Sequence, residues 1–412
     1  MNTHHRICLL LALIPSMLMA QNFSYADLQV LEVSFSGPTL DMRKDDGTGW
    51  HVAPHYTPTA HTPVAYISGD APVAEGQFQI TCDNLPDSIW VKGLGPDAIN
   101  FPPVKVAVQG TGTTRTFNYP ATSSDNVFED QVVRFFKPFT INWEFTFGVG
   151  LDESWRTIGS SANTLYVTKE FPMPETIRFK WFQTVYDMSC RNADALETEA
   201  DIIAGVWEEF TDHVLLNWEG DSLHYYNTLN TSNVTLSTLL KYRNAQCYTF
   251  AQLFLSTIKI QGLVRTNNYV YITPINNSVC GNTVNRFIVK NWEFSIPNST
   301  ACPDFPYQNT YTTLVPPPYL EYDFIIESVS DKEGIPGAST NNPASYFNNH
   351  QITFIDGVYY DPCYGVTFDA LTDIKNEAFD GWSYRYFSGG VTNAFFTSDM
   401  TLSELAPTIT TF

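Results

Sequence analysis

The chain has 412 residues, of which 43% are hydrophobic and 15% aromatic, so it can bury one large core or two smaller ones. Its 43 acidic residues outnumber 22 basic ones, and the formal charge of −21 argues against nucleic acid as a partner because a phosphate polymer would be repelled. The carboxylates are scattered along the chain, so the charge indicates solubility and does not identify a substrate.

Residues 1–20 have the pattern of a secretory signal peptide. Arg6 precedes the apolar run "ICLLLALIPSMLMA", and Ala20 is a small residue suited to the last position of a cleaved leader. No later stretch approaches the roughly 20 apolar residues that cross a membrane. We therefore expect an exported protein that is secreted, periplasmic or on the cell surface, with no integral membrane segment after cleavage.

Residues 21–172 are predicted to form an all-β sandwich. Short alternating runs such as "LQVLEVSFSG", "GQFQITC" and "FTINWEFTFG" are separated by turn residues, which is typical of antiparallel strands. His51, His55 and His61 lie in a Pro- and Thr-containing segment, but their spacing matches no compact ligand pattern. We favour a loop over a metal site there.

The two prolines of "EFPMPE" at 170–175 mark the predicted boundary with a second, α+β domain over residues 173–412. Leu196, Ala200, Ile203 and Trp207 are spaced by three and four residues, which predicts one apolar helix face.

A second helix is expected from Asn244 or Gln246 to Gly262, with Phe250, either Phe254 or Leu255, and Ile258 in its buried stripe. The strand-like run "LVRTNNYVYITP" follows it. An irregular insertion is predicted at about residues 273–349, and the chain ends in strand-like runs.

Cys247 stands where this second helix begins, so it is either a small core residue, half of a disulfide or a nucleophile. The unpaired amide hydrogens of a first helical turn and the positive end of the helix dipole stabilise a thiolate over a thiol. The same amide groups can hold a developing oxyanion. A helix start therefore supplies half of a thiol acyl-transfer site.

The segment "NHQITFIDGVYYDPCYG" supplies candidates for the other half. Asp356-Gly357 predicts a two-residue hairpin turn, which pairs Ile355 with Val358 and makes His350 and Asp361 diagonal neighbours on one face. Asp361 would then fix the tautomer of His350 and leave the ring facing a thiol.

These motifs resemble the transglutaminase-like superfamily of papain-type folds. A Gln-Cys-aromatic helix start, "QCYTFAQLF", is followed by a histidine on one strand and by "YYDP" after a "DG" turn, within about residues 180–370. The resemblance implies Cys247 as nucleophile, His350 as base and Asp361 as the residue that orients it, with Gln246 and Tyr248 next to the oxyanion and substrate. A β-sandwich in front of such a domain also resembles exported bacterial proteins.

The cysteine count leaves alternatives open. Loss of the leader removes Cys8 and leaves six cysteines, so a free thiol at position 247 requires a second unpaired cysteine. Cys280 with Cys302 is the bridge we favour. Cys363 lies two residues beyond Asp361 and faces the same side, so a bridge to Cys247 is an alternative that would abolish the nucleophile.

The sequence thus predicts a secreted Cys-His-Asp enzyme that acts on amide bonds of proteins or peptides and needs no metal or cofactor. Hydrolysis, as a peptidase or deamidase, is favoured over cross-linking. The competing class is a non-catalytic exported protein that binds protein or glycan and uses the same fold as a scaffold. The sequence leaves the oligomeric state unknown.

Overall fold

The computed structural model describes most of the chain between residues 25 and 411. The described residues are 25–49, 51, 55–83, 85–148, 154–173, 181–225, 235–263, 268–272, 278–279, 282–283, 286–289, 324–327, 336–341, 346–347, 349–370, 373–374, 378–388, 391–397 and 408–411.

Ten strands form the N-terminal region. They are β1 (Tyr25–Ser36), β2 (His55–Thr57), β3 (Ala60–His61), β4 (Val64–Ile67), β5 (Val73–Cys82), β6 (Ser88–Leu94), β7 (Asn100–Gln109), β8 (Thr114–Ser123), β9 (Arg134–Thr146) and β10 (Arg156–Thr168). All neighbouring pairs are antiparallel except β4 and β10, which are parallel.

These strands make one curled sheet in the order β3-β2-β1-β5-β8-β7-β6-β9-β10-β4. Register shifts in several of the pairs fit the curl, because bulges increase local twist and bend the strands. Alternate residues of β5, including Phe78 and Ile80, are fully buried, as the period of a strand requires. The predicted all-β region is therefore present, as one curled sheet whose apolar face encloses a core around Trp143.

Four helices follow: α1 (Gln183–Asn192), α2 (Glu199–Thr211), α3 (Leu236–Tyr242) and α4 (Cys247–Lys259). Thr198 caps α2 by accepting a hydrogen bond from the Asp201 amide, so Leu196 lies in the turn before this helix and was wrongly included in it. The predicted position of α4 is confirmed, and Phe250, Phe254 and Ile258 are fully buried. The chain turns after it at Gly262, where φ is +77°.

The remaining strands build smaller sheets around these helices. They are β11 (His224–Tyr225), β12 (Asn244–Ala245), β13 (Asn268–Ile272), β14 (Ser278–Val279), β15 (Asn282–Thr283), β16 (Arg286–Val289), β17 (Phe324–Glu327), β18 (Tyr346–Phe347), β19 (His350–Ile355), β20 (Val358–Asp361), β21 (Val366–Phe368), β22 (Phe379–Ser388), β23 (Val391–Thr397) and β24 (Thr408–Thr411).

One five-stranded sheet, in the order β21-β20-β19-β13-β24, contacts α4 through β19. A second, in the order β17-β23-β22-β16-β18, pairs strands of the predicted insertion with the hairpin at 379–397. The described strands of the predicted insertion at about 273–349 are paired: β16 with β22 and β18, β17 with β23, and β14 with β15. The insertion itself stays a prediction.

The buried apolar side chains of the described residues form two cores. The first lies within the curled sheet and the second surrounds α4, but Leu40, Met42 and Tyr166 of the N-terminal region belong to the second core. The exact boundary near residue 172 stays a prediction. Within the part of the chain that the structure describes, every helix is too short or too polar to span a membrane.

Candidate active site

A tight hairpin positions two of the predicted site residues. Ile355 pairs with Val358, and the two residues between them, Asp356 and Gly357, have φ of +50° and +94°. Positive φ at both central positions defines the mirror-image turn that suits strand twist. The predicted pairing is confirmed, and the same register sets Asp361 diagonal to His350.

His350 and Asp361 form a buried, hydrogen-bonded pair. The Nε2 atom of His350 lies 2.7 Å from Oδ2 of Asp361, and each residue is 1% exposed. The second carboxylate oxygen, Oδ1, accepts a 3.1 Å hydrogen bond from the backbone N–H of Cys363. Both oxygens of Asp361 are thus engaged, which fixes the plane of the carboxylate and the ring that it contacts.

The charge of Asp361 decides the protonation of the ring. Burial alone would lower the pKa of His350, but the Asp361 carboxylate and its hydrogen bond, together with Cys247, raise that pKa to about 10. The imidazolium form is therefore favoured at neutral pH.

Cys247 lies at the first position of α4 and contacts the same ring. Its side chain lies close enough to the His350 ring to help raise the pKa of that ring, and because Nε2 faces Asp361, we assign this proximity to the Nδ1 side. The residue is 4% exposed and forms no disulfide. The first hydrogen bonds of α4 run from the amides of Thr249 and Phe250 to the carbonyl of Gln246. The amides of Cys247 and Tyr248 belong to the turn that has no acceptor within the helix.

Gln246 and Tyr248 flank Cys247, as their sequence positions require. Gln246 is half-buried and has extended backbone angles, whereas the ring of Tyr248 packs at 5.5 Å from that of Tyr269. Tyr271 is also half-buried and lies within electrostatic range of the Cys247 sulfur. The structure brings Cys247, His350 and Asp361 together, and the catalytic and substrate roles of these residues stay predictions.

A buried layer supports the hairpin from behind. The ring of Tyr364 lies 5.8 Å from that of His350 and 5.4 Å from that of Tyr225, and the backbone carbonyl of Tyr364 lies 2.7 Å from Nε2 of His213. His213, Tyr225 and Tyr364 were not identified from the sequence. The aromatic residue next to Cys363 was the one local signal, because Tyr225 reaches this layer only through tertiary folding.

All four cysteines whose side chains the structure describes are free thiols: Cys82, Cys190, Cys247 and Cys363. This overturns the alternative of a bridge between positions 247 and 363. The favoured bridge between Cys280 and Cys302 lies outside the described residues. Burial, followed by the neighbouring Asp361, raises the pKa of the Cys363 thiol well above its ordinary value, so this second thiol is a poor nucleophile.

One group of potential metal ligands occurs among the described residues. A ring nitrogen of His350, a carboxylate oxygen of Asp361 and the sulfur of Cys363 all lie within 4.8 Å of one another. His55 and His61 lie on the paired strands β2 and β3, so the loop expected for this segment is wrong at these two residues. The ring of His55 contacts the hydroxyl of Thr62 through Nδ1. The prediction that the protein needs no metal or cofactor stays a prediction.

Comparisons with known proteins leave the family open. No protein-family model matches this chain, and no curated protein matches it. The case for a class of protein therefore depends on the site itself.

Proposed function

We propose that this protein is a cysteine-dependent acyl-transfer enzyme that acts on amide bonds of proteins or peptides. The observation that carries the proposal is the 2.7 Å pair of His350 and Asp361, buried next to a thiol at a helix start. Cys247 and His350 are separated by 103 positions in sequence, and Cys247 lies close enough to the ring to help raise its pKa. This proximity supports the roles of nucleophile for Cys247, base for His350 and orienting acid for Asp361. We further propose that residues from about 173 onward form a papain-like domain of transglutaminase type.

Each side chain has a defined part in the proposed reaction. The Cys247 thiolate attacks the amide carbonyl, and the resulting oxyanion is held by the first-turn amides of α4. The imidazolium of His350 gives its Nδ1 proton to the leaving amine as the carbon–nitrogen bond breaks. Water then attacks the thioester while His350 accepts a proton from it, the carbon–sulfur bond breaks, and the acid leaves as the Cys247 thiolate and the His350 imidazolium are restored. Asp361 keeps the ring oriented in every step.

Hydrolysis remains our preferred outcome over transfer to a lysine amine. Deamidation would release ammonia, whereas peptidase activity would create new chain ends. The substrate is proposed to be a protein or peptide, met after export to the periplasm, cell surface or medium through the leader at residues 1–20. Neither activity requires a metal or an organic cofactor.

A second candidate is a non-catalytic exported protein that binds protein or glycan. The observation that favours it is the burial of Cys247, which at 4% exposure leaves little room for an approaching carbonyl. In that case the buried thiol, ring and carboxylate would stabilise a scaffold and would not turn over a substrate.

Thiol labelling combined with turnover separates the two candidates. We expect iodoacetamide to label one cysteine of residues 21–412 rapidly at pH 7, and expect Cys247→Ala to abolish this labelling and His350→Ala to slow it. Ammonia release or peptide cleavage on a mixed protein substrate should disappear in Cys247→Ala. Cys82→Ala is the matched control, because it removes a buried thiol from the N-terminal sheet. Uniformly inert thiols and no turnover would contradict the enzyme and favour the binding protein.

A further inference from the structure

The proposed mechanism gives no part to Cys363, a thiol that is fully buried beside the pair of His350 and Asp361. A cysteine of this kind is often a small core residue. Here it lies close to a carboxylate and an imidazole, and the three candidate ligand atoms are within 4.8 Å of one another. We propose that these three residues form a Zn²⁺ site, and that occupation of this site switches off the thiol enzyme.

The donor set fits zinc better than other common cations. Imidazole nitrogen, carboxylate oxygen and thiolate sulfur are the three ligand types that Zn²⁺ takes in proteins, whereas Mg²⁺ and Ca²⁺ prefer oxygen alone. Tetrahedral bonds of about 2.0 to 2.3 Å place ligand atoms about 3.3 to 3.8 Å apart. The observed cluster, with its three ligand atoms within 4.8 Å of one another, meets this spacing after shifts of about 1 Å.

The proposed site uses the Nε2 side of the ring. Nε2 already lies 2.7 Å from Asp361, whereas the other ring nitrogen is assigned to Cys247. Zinc would therefore lie between His350, Asp361 and Cys363, on the opposite side of the ring from the nucleophile. The hydrogen bond from the Cys363 amide to Oδ1 of Asp361 would orient this ligand, as second-layer partners do in other zinc sites.

Exchange of two protons for one Zn²⁺ ion leaves the charge of this buried cluster unchanged, which makes the exchange feasible. Each of the three ligand residues is at most 1% exposed, so an added net charge there would be costly. Zn²⁺ would displace two protons, one from Nε2 of His350 and one from the Cys363 thiol, and both would leave to solvent. The net charge of the cluster is the same before and after this exchange.

Bound zinc would disable the base and would not need to touch the nucleophile. A ring held by zinc at Nε2 cannot carry protons on both nitrogens, so His350 could no longer become the imidazolium that protonates a leaving amine. Inhibition rests on the proposed function, whereas zinc binding does not.

Zinc affinity of matched variants tests the site. We expect calorimetric titration with ZnCl₂ to give the same affinity for wild type and Cys247→Ala within about twofold, because Cys247 is not a ligand. Cys363→Ser and Asp361→Asn should each weaken this binding by about tenfold or more, while Cys82→Ser leaves it unchanged. Thermal unfolding without metal checks that each variant is folded.

A spectroscopic measurement keeps the test independent of catalysis. Co²⁺ bound to Cys247→Ala should show a thiolate-to-metal charge-transfer band, and the added Cys363→Ser change should remove it. Retained affinity in Cys363→Ser would overturn the site. So would loss of binding in Cys247→Ala, which would place the ion between that thiol and Nδ1. If binding follows the expected pattern but turnover is absent, the site stands and the proposed function fails.

Discussion

Asp361 controls the candidate site through the separate contacts of its two carboxylate oxygens. One oxygen accepts from the His350 ring and the other from the Cys363 amide, so the carboxylate cannot rotate without losing a hydrogen bond. A buried charge that loses its partner costs several kcal/mol, and Asp361 therefore holds the His350 ring in its protonated form. The pair of His350 and Asp361 thus stabilises the folded chain and also keeps on the ring the proton that the proposed reaction needs.

Asp361→Asn should reveal this coupling as a pH dependence of stability. The pKa of His350, about 10, lies above its ordinary value of 6.5, so the stabilisation is complete below about pH 6.5 and is lost as pH rises toward 10. We expect the variant to lose about 3 kcal/mol of unfolding free energy at pH 6, and the difference from wild type to shrink toward pH 10. Urea unfolding at pH 6, 8 and 10 with a chelator measures this. Turnover of the zinc-free enzyme should fall by about 10³- to 10⁴-fold.

Asp356→Asn provides the control for that experiment. It makes the same charge change in the turn of the same hairpin, where Asn also tolerates positive φ. Its effect on stability should be small, because residue 356 is exposed in the turn and the substitution leaves the contact between Asp361 and the ring in place. A constant difference between wild type and Asp361→Asn from pH 6 to pH 10 would mean that the ring is not held as an imidazolium.

At the scale of elements, two tight turns determine where the acid and base lie. The turn at 356–357 sets the strand register, and a turn after β20 lets the amides of Tyr364 and Gly365 bond to the Asp361 carbonyl. Gly365 packs against the end of α2, where an added Cβ would lie 2.2 Å from the Phe210 carbonyl oxygen. Helix α2 therefore supports the position of Asp361 through backbone contact.

Alanine substitution of the two turn glycines, Gly357 and Gly365, should separate the cost of backbone strain from the cost of a steric clash between the added Cβ and its neighbours. Gly357 and Gly365 both have positive φ, but an added Cβ at Gly357 meets nothing within 4 Å. Gly357→Ala should therefore cost only about 1 to 2 kcal/mol of strain. Gly365→Ala should cost about 1 to 3 kcal/mol more, because Phe210 must move, and it should also slow alkylation of Cys247. Urea unfolding and labelling rates measure both effects, and equal costs at the two sites would contradict the role given to α2.

The sequence predicted those elements whose position depends on nearby residues, such as a turn dipeptide or a helical spacing of apolar side chains. The "DG" turn fixed the hairpin, and apolar spacing of three and four residues located α4. Helix α1 was missed because it buries polar residues through specific partners, as when Asp187 accepts from the Tyr166 hydroxyl and Ser189 donates to the Thr257 carbonyl. The paired insertion strands were missed because their partners at 379–397 are distant in sequence. Tyr225 joined the site by the same kind of long-range contact.

At the scale of the whole molecule, the N-terminal sheet and the helical region share buried contacts. Asp45, in the loop after β1, accepts hydrogen bonds from the amide and hydroxyl of Thr184 at the start of α1. Farther along, the Lys169 amide donates to the Gln261 side chain, which lies just past α4. Apolar residues of the N-terminal region complete the core that surrounds α4. Helix α4, which begins with Cys247, is therefore buried in part by residues of the N-terminal region.

Asp45→Asn should stabilise the whole chain above pH 6. Burial, only partly offset by the Thr184 hydrogen bonds, raises the pKa of Asp45 to about 6 from an ordinary value of 3.8. Between these values the folded state holds a proton that the unfolded chain has lost, so this carboxyl makes wild type less stable as pH rises from about 4 to 6. Asn keeps both contacts, because its oxygen accepts from the amide and its nitrogen donates to the hydroxyl.

Melting temperatures at pH 4, 5, 6 and 7 test this directly. The variant should gain about 2 to 4 °C on wild type between pH 4 and pH 7. The control is the exposed neighbour Asp46, whose hydrogen bonds with Thr48 lower its pKa. The effect of Asp46→Asn should therefore have the opposite sign: the variant should become slightly less stable than wild type as pH rises from 3 to 5. Parallel melting curves for wild type and Asp45→Asn at every pH would show that Asp45 is solvated, and that the contact with Thr184 does not bury charge between the sheet and the helices.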